Sequence, residues 1–422
     1  MQTSERLKRG VLWTYLAVSG FVAIEPSAFE FMFPIALLVF ADGGMLFDRA
    51  LSPLVLTLLV WSSSGFLTLI PWVGERESVT FIFITLYICL ATILFAAIVA
   101  QKPLARMATI RSGYVAAGVM SAMLGVAGYF DIAGAGEYFT LNERAMGFFK
   151  DPNVFAPFLV PPIIWLVQDL FLKRGRALLS LAGLVVLFVG LLLSFSRGAV
   201  IDCMLSLAML LALLFLTADS GHARARALAM TAIVATLIAL IVAAVLAIPE
   251  VRQLALERAT LAEDYDSGPQ GRFGNQARSI PLLLERPFGF GPLRFGHIFP
   301  QDPHEVFISA FASFGWSGGV AFMAFAAITI YVGWRLCFRR SPFQAESVGL
   351  WAGLFPQVLQ GVQIDTSHWR HLFVLCGCLY GLAAAERRFS AGRARASKVS
   401  LGPGESLSTT RAGAEARAMR RT

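Results

Sequence analysis

Charged side chains make up only 15% of the 422 residues, against about 25% in a typical soluble domain. A soluble chain of this length would split into two or three domains, and so few charges would not coat them. Cysteine is scarce as well. Of the five present, Cys89, Cys203, Cys376 and Cys378 fall inside apolar blocks and Cys337 ends one. That placement excludes an exported disulfide framework and a zinc knuckle. The chain has no phosphate-cradling glycine loop, no Ser/His/Asp signature and no redox cysteine pair, so those chemistries are excluded. It has no repeat of about 20–50 residues, so it is not a solenoid.

What is present is apolar sequence, 57% of the chain, gathered in blocks of about 18–22 residues that suit a bilayer core at about 1.5 Å per helical residue. The blocks are 8–24, 28–41, 51–72, 78–100, 112–130, 153–172, 177–196, 198–218, 228–248, 304–336, 345–364 and 369–386. They lack strand alternation, and lipid-embedded backbone must bond to itself, so they are read as helices. The expected fold is an all-α integral membrane domain over 1–386 with about twelve transmembrane helices. Its longest connection, 249–303, lies between the ninth and tenth. Lysine and arginine fix the orientation: fifteen fall on one side and five in the short connections of the other. Positive residues stay in the cytoplasm, so both termini are expected there and 249–303 outside. Residues 387–422 carry nine Lys/Arg and two Glu, a basic tail expected to lack fixed structure and to lie near anionic membrane lipids. Nucleic acid is not an expected partner, because the excess charge sits in that tail. The charged and apolar N-terminus lacks a small-x-small cleavage site and is read as retained.

In a membrane protein the ionisable residues near the spans are the informative ones, and here they cluster on the outer side at four places. The first is Arg144…Lys150-Asp151-Pro152-Asn153. Asp151 or Asn153 can cap the next helix, with Pro152 in its first turn, while the two cations can attract an anion. The second is Ser194-Phe195-Ser196-Arg197-Gly198, between two closely spaced helices. Arg197 either pairs with Asp202 or presents its planar fork to a phosphate. The third is 249–303 itself, where six arginines with the acids Glu257, Glu263, Asp264, Asp266 and Glu285 are mostly a solvated surface. There Gly268-Pro269-Gln270-Gly271 breaks the chain and places Arg272 near a helix start. The fourth is Asp302-Pro303-His304-Glu305. Asp302 suits an N-cap and Pro303 the first helical position, which puts His304 in the first turn. A histidine there is either an interfacial residue or a neutral imidazole able to accept a proton. The spacing of His297, Asp302, His304 and Glu305 matches no zinc pattern, and His368 and His371 are too few, so no metal and no cofactor are expected. Gln357, Gln360 and Gln363 form a polar stripe that must face protein or a wet cavity.

Taken together, these segments resemble the O-antigen ligase and polysaccharide polymerase superfamily of bacterial envelopes. The resemblance rests on Lys150-Asp151-Pro152-Asn153, on Ser194-Phe195-Ser196-Arg197-Gly198, and on the run from Gly271-Arg272 through Glu285-Arg286-Pro287-Phe288-Gly289-Phe290-Gly291-Pro292 to Pro303-His304. Its most specific element is a histidine, one polar residue, nine residues and Gly-x-x-Gly, here His304, Glu305 and Gly315-Trp316-Ser317-Gly318. The family usually has Asn, Ser or Gln where Glu305 stands, and often Leu where Gln276 stands.

The resemblance implies a GT-C-like, metal-independent glycosyltransferase in the bacterial inner membrane, with its active site facing the periplasm. The implied donor is a glycan on undecaprenyl pyrophosphate, and the acceptor a sugar hydroxyl on lipid A–core or on another glycan. Displacing pyrophosphate at an anomeric carbon needs fixed cations and a base for the incoming hydroxyl. Arg197 and Arg272 are therefore assigned to the pyrophosphate and His304 to the base, with Glu305, Arg144 and Lys150 as supporting candidates. A ligase is favoured over a polymerase by the single long outer segment. A transporter or flippase is disfavoured because the ionisable residues sit at one interface and no half-to-half repeat is visible.

Overall fold

Each apolar block becomes helix, as backbone shielded from water requires. The computed structural model describes residues 2–41, 48–258, 268 and 271–400. The chain runs through α1 (Gln2–Ala17), α2 (Ala28–Phe40), α3 (Ser52–Leu69), α4 (Arg76–Gln101), α5 (Pro103–Tyr129), α6 (Gly136–Phe139), α7 (Pro152–Phe158) and α8 (Val160–Leu172). It continues through α9 (Ala177–Leu193), α10 (Arg197–Leu216), α11 (Gly221–Leu246), α12 (Pro249–Glu257), α13 (Arg272–Leu284), α14 (Val306–Phe338), α15 (Gln344–Gln360) and α16 (Arg370–Ser400). Among the described residues the only strands are β1 (Thr140–Leu141) and β2 (Arg144–Ala145), an antiparallel pair with Thr140 opposite Ala145.

Among the described residues seven helical segments are long and apolar enough to cross a membrane: Arg49–Trp72, Arg76–Gln101, Pro103–Tyr129, Pro152–Leu172, Arg197–Leu216, Gly221–Leu246 and Val306–Phe338. This is fewer than the twelve expected. The α2 and α9 helices are apolar but shorter. The other blocks give helices with polar ends: α1 carries Glu5, Arg6, Lys8 and Arg9, α15 carries Glu346 and its glutamines, and α16 carries Arg387 and Arg388. The segment 249–303 is not an open loop, since it contains α12 and α13. Glu263, Asp264, Asp266, Pro269 and Gln270 lie outside the described residues, as does the tail from 401 onward. The first part of that tail, expected to lack structure, continues α16 as helix to Ser400.

Ion pairs sort the connections into two ends. At the lower end Glu5 meets Lys102 and Arg106 (3.1 and 3.0 Å), Asp48 meets Arg388 (3.4 Å), and Arg335 meets Glu386 (2.8 Å). There too Arg111 is buried between Asp169 and Glu346 (2.6 and 2.8 Å), with Arg174 on the same glutamate (2.6 Å). At the upper end Glu25 meets Lys150 and Arg370 (3.0 and 3.1 Å), and Arg294 pairs with Glu75 over the ring of Trp72. This division follows the alternation of the connections along the sequence.

The α14 helix is broken near its upper end. Gly315 adopts φ +67° and ψ −170°, a conformation essentially reserved for glycine. The break leaves backbone groups without helical partners, and the segment after α13 supplies them. The Ala312 carbonyl accepts from the amides of Phe290 (2.7 Å) and Gly291 (3.1 Å), and the Trp316 amide donates to the Pro287 carbonyl (2.8 Å). Thr68 on α3 donates to the Ser313 carbonyl (2.7 Å). A Cβ at residue 315 would lie 2.5 Å from the Pro287 carbonyl oxygen, and one at 318 would lie 3.1 Å from Ser64 on α3. The Gly-x-x-Gly motif is thus a docking notch followed by a close helix crossing. Replacing Gly315 by Ala is expected to destabilise the protein by roughly 1–3 kcal/mol, seen as a lower midpoint in thermal unfolding of detergent-purified protein. Gly74→Ala, where a Cβ meets nothing within 4 Å, should leave the midpoint unchanged.

Candidate active site

Arg197 is the first residue of α10, entered through a strained turn in which Phe195 has φ +49°, unusual for a bulky side chain. Arg144 braces that turn. Its Nε donates to the Ser194 carbonyl (2.7 Å) and its other arm to Asn153 Oδ1 (2.8 Å). Asp151 caps α7 by accepting from the Asn153 amide (2.7 Å), as one sequence reading anticipated. Arg144 therefore joins two of the motif segments. Lys150 is turned to Glu25, which also receives Arg370. Burial pushes the Glu25 carboxyl up, but hydrogen bonds from Lys150 and Arg370 outweigh it and hold the group below the usual carboxylate range. The Arg197–Asp202 pair does not form. Asp202 is buried, its Oδ1 meets Ser206 at 3.5 Å, and its Oδ2 has no hydrogen-bond partner among the described residues.

Arg272 is the first residue of α13. This helix is tied at both ends to residues that flank the short upper half of α14. Gln276 Nε2 donates to the Pro303 carbonyl (2.5 Å), and Trp316 Nε1 donates to the Leu283 carbonyl (2.8 Å). A small apolar core of Leu283, Phe290, Phe295, Phe299 and Ala312 fills the space between. The two pieces run parallel, so Arg272, one turn before Gln276, lies toward the end of the pair that carries His304. Gln276, at a position where leucine is frequent in the family, makes one of these ties.

The fourth segment requires a correction. The α14 helix starts at Val306 and its N-cap is Glu305, not Asp302. His304 takes φ +47°, turning the chain after Pro303 so that neither residue enters the helix. The Glu305 carboxylate accepts from the amides of Phe307 (3.0 Å) and Ile308 (2.6 Å), so it holds the helix start instead of the imidazole. His304 is exposed and does not occupy the first turn. Burial pushes the Glu305 carboxyl above its ordinary range, against the pull of the two amides, and Asp365 adds to the rise.

The end of α15 connects the segments. The Val306 amide donates to the Gly361 carbonyl (2.9 Å). On the other side Gly198 packs so closely that a Cβ there would lie 2.9 Å from Gln360 Nε2 and 3.6 Å from Gln363 Oε1. Of the glutamine stripe, Gln357 is fully buried and bonded to the Pro157 carbonyl (2.8 Å), Gln360 is half-buried and Gln363, past the end of α15, is exposed. The starts of α10 and α14 thus flank one helix end, and α13 is tied to the second of them.

Beside Arg197 a cavity of about 370 Å³ opens between the end of α9 and helices α10, α11 and α12. Its walls are apolar, formed among others by Val200, Ile201, Val242 and Leu246, and its polar lining includes Arg197, Ser196 and Arg258. Arg258 belongs to the mixed-charge segment read as solvated surface. Its place in the cavity wall depends on α12 folding back, which no local motif signals. Among the described residues His297, Asp302, His304 and Glu305 gather into no metal-sized cluster. His368 meets Thr85 (3.0 Å) and Ser367 (3.1 Å), while His371 is buried against Phe158 and Trp369.

A family model described as O-antigen ligase matches residues 182–323, the stretch that holds Arg197, Arg258, Arg272, His304 and the broken start of α14. That stretch is about a third of the chain, and the match supports the resemblance to the O-antigen ligase and polysaccharide polymerase superfamily. No match to a curated protein accompanies it.

Asn and Ser, two of the three residues usual at position 305 in the family that the chain resembles, are strong N-cap residues. Glu305→Asn should keep α14 capped, whereas Glu305→Ala should lose about 1 kcal/mol, measured by thermal unfolding. Because burial raises the wild-type carboxyl, its contribution is greatest while it is protonated and declines as pH rises through its elevated pKa. The Asn variant lacks that loss, so its stability relative to wild type should improve between acid and neutral pH.

Proposed function

We propose that the protein transfers a glycan from undecaprenyl pyrophosphate to a sugar hydroxyl in the manner of an O-antigen ligase. The acceptor is lipid A–core or another glycan, and the reaction takes place at the periplasmic face of the bacterial inner membrane. The observation that carries this reading is the meeting of the α10 and α14 starts at the end of α15, with α13 tied alongside. The start of α10 presents the positive end of its helix dipole, a setting that favours anions, while the first amides of α14 are taken up by Gly361 and Glu305. Arg197 and Arg272 are the first residues of two of these helices, and a guanidinium fork matches phosphate oxygens.

In the proposed reaction the acceptor oxygen attacks the anomeric carbon as the bond from that carbon to the pyrophosphate oxygen breaks. The acceptor's proton passes to His304, and the lipid pyrophosphate leaves with the bonding pair and one more negative charge. Arg197 and Arg272 stabilise that charge where it develops, the role fixed cations fill best. No metal takes part. One base without a second carboxylate favours single-step inversion. Arg144 and Lys150 support the site by bracing its walls, and Glu305 by fixing the start of α14. The helix order accommodates an even number of traverses if the shorter and more polar helices are counted with the seven, which keeps both termini in the cytoplasm, as the lysine and arginine distribution requires.

Purified protein should transfer glycan from a polyprenyl-pyrophosphate donor. Arg197→Ala and Arg272→Ala should each lower the rate about 100- to 1000-fold, and His304→Ala about 100-fold or more. If all three leave transfer intact, the assigned site is wrong. A polymerase would use the same chemistry on a different acceptor. In a deletion strain, long glycan left on the lipid carrier marks a ligase, and single transferred repeat units mark a polymerase.

A further inference from the structure

The polarity of α13 is the reverse of what water would select. Its buried side carries Asn275 and Ser279, both fully buried, beside Leu283. Its outer side carries Phe273, Ile280 and Leu284, and Phe288 follows just past its end. Of these four, 58%, 49%, 68% and 69% of the surface is uncovered. The spacing of 273, 280 and 284 keeps them on one helical face, and among the described residues no side chain covers it. A contiguous apolar stripe beside polar neighbours marks a face made for a partner.

Two contacts set the depth of the stripe. Thr68 on α3 donates to the Ser313 carbonyl (2.7 Å), and Trp316 Nε1 donates to the Leu283 carbonyl (2.8 Å). Together they bring the end of α13 to about the level of Thr68. At that level the protein still faces lipid, because Leu67 and Ile70 are exposed within a segment long and apolar enough to cross a membrane. Trp316 is itself exposed, and below it the outer face of α14 continues through exposed Val320 and Met323. The stripe of α13 and the lipid-facing side of α14 therefore meet at Trp316. Arg278 and Arg286 are exposed at the flank, with their guanidinium groups over the rings of Phe299 and Phe290 (5.5 and 5.3 Å). Cations held beside apolar side chains in this way suit the phosphate layer of a bilayer.

We infer that α13 is an interfacial helix seated in the membrane leaflet at the upper end of the bundle. Acyl chains lie against Ile280, Leu284 and Phe288, with Phe273 nearer the surface, and headgroup phosphates lie at Arg278 and Arg286. The segment 249–303 is then in part a membrane-bound element, and lipid supports the helix that Arg272 opens. This contact holds whether or not the chain transfers glycan.

The test uses full-length protein in phospholipid nanodiscs. The five native cysteines are buried, so a cysteine placed at the surface takes a thiol-reactive nitrobenzoxadiazole label selectively. Leu284→Cys, Ile280→Cys and Phe273→Cys report on the stripe, Arg278→Cys on its flank and Val320→Cys on the lipid face of α14. Each label is quenched in turn by phospholipid carrying a spin label on its acyl chain and by iodide in the water. The spin-labelled lipid should quench the label at 284 by roughly twofold or more, close to its effect at 320, and less at 280 and 273 in turn. Iodide should act mainly on the label at 278. All these positions are exposed, and unfolding midpoints near that of wild type identify the variants that are folded; any one stripe position suffices for the test. If iodide quenches 284 and 280 as strongly as 278, the stripe faces water and the inference is overturned. Quenching of 284 and 280 by neither agent overturns it as well, because protein, from this chain or from a second copy, then covers the stripe.

Discussion

A backbone amide or carbonyl away from water must find a partner, and leaving one unmet inside a membrane protein costs several kcal/mol. The break at Gly315 raises this demand inside a long apolar helix, near its upper end. It is met from three directions, by the amides of Phe290 and Gly291, the carbonyl of Pro287, and the hydroxyl of Thr68. Much else follows from that solution. The 287–291 segment is held against α14, its glycines let the backbones approach, and α13 is carried into place along the short upper half-helix. The position of Arg272 relative to His304 is a consequence of where those hydrogen bonds had to be made.

The opposite end of the bundle fixes α15. Arg111 reaches Glu346 (2.8 Å), Asp169 (2.6 Å), Gln168 (3.2 Å) and the Trp165 carbonyl (3.2 Å), with Arg174 completing the charge balance on Glu346. Buried charges of this kind add little net stability but penalise any displaced arrangement, because separating one partner strands the other. The same α15 receives the starts of α10 and α14 at its far end. A helix pinned below by a saturated ion cluster is a firm post for the groups above.

The helices were legible because a bilayer demands long apolar blocks, and every block became helix. Their exact starts were less so. Asp302-Pro303 carries the ordinary signal for a helix start, yet the left-handed turn at His304 delays the helix to Val306 and passes the cap to Glu305. Arg197 and Arg272 were readable because each follows a local chain break and opens a helix. Arg144 was read as a cation near an anion site, but its partners are the Ser194 carbonyl and Asn153, and the contact with Ser194 bridges fifty residues. Arg258 was hidden for the same reason. Its environment is made by the return of α12 against α10 and α11, and mixed charge around it looks like any solvated surface.

The mended break in α14 also bears on how the chain is built. The partners of Ala312 and Trp316 belong to residues 287–291, which precede the helix in the sequence and so emerge first from the ribosome. The upper half of α14 therefore cannot settle among lipids as a finished helix on its own. It completes its backbone bonding only after the preceding segment has folded back beside it. The folding of the two segments is a single coupled event, and a chain in which 287–291 had not yet docked would leave the polar backbone at Ala312 and Trp316 without these partners.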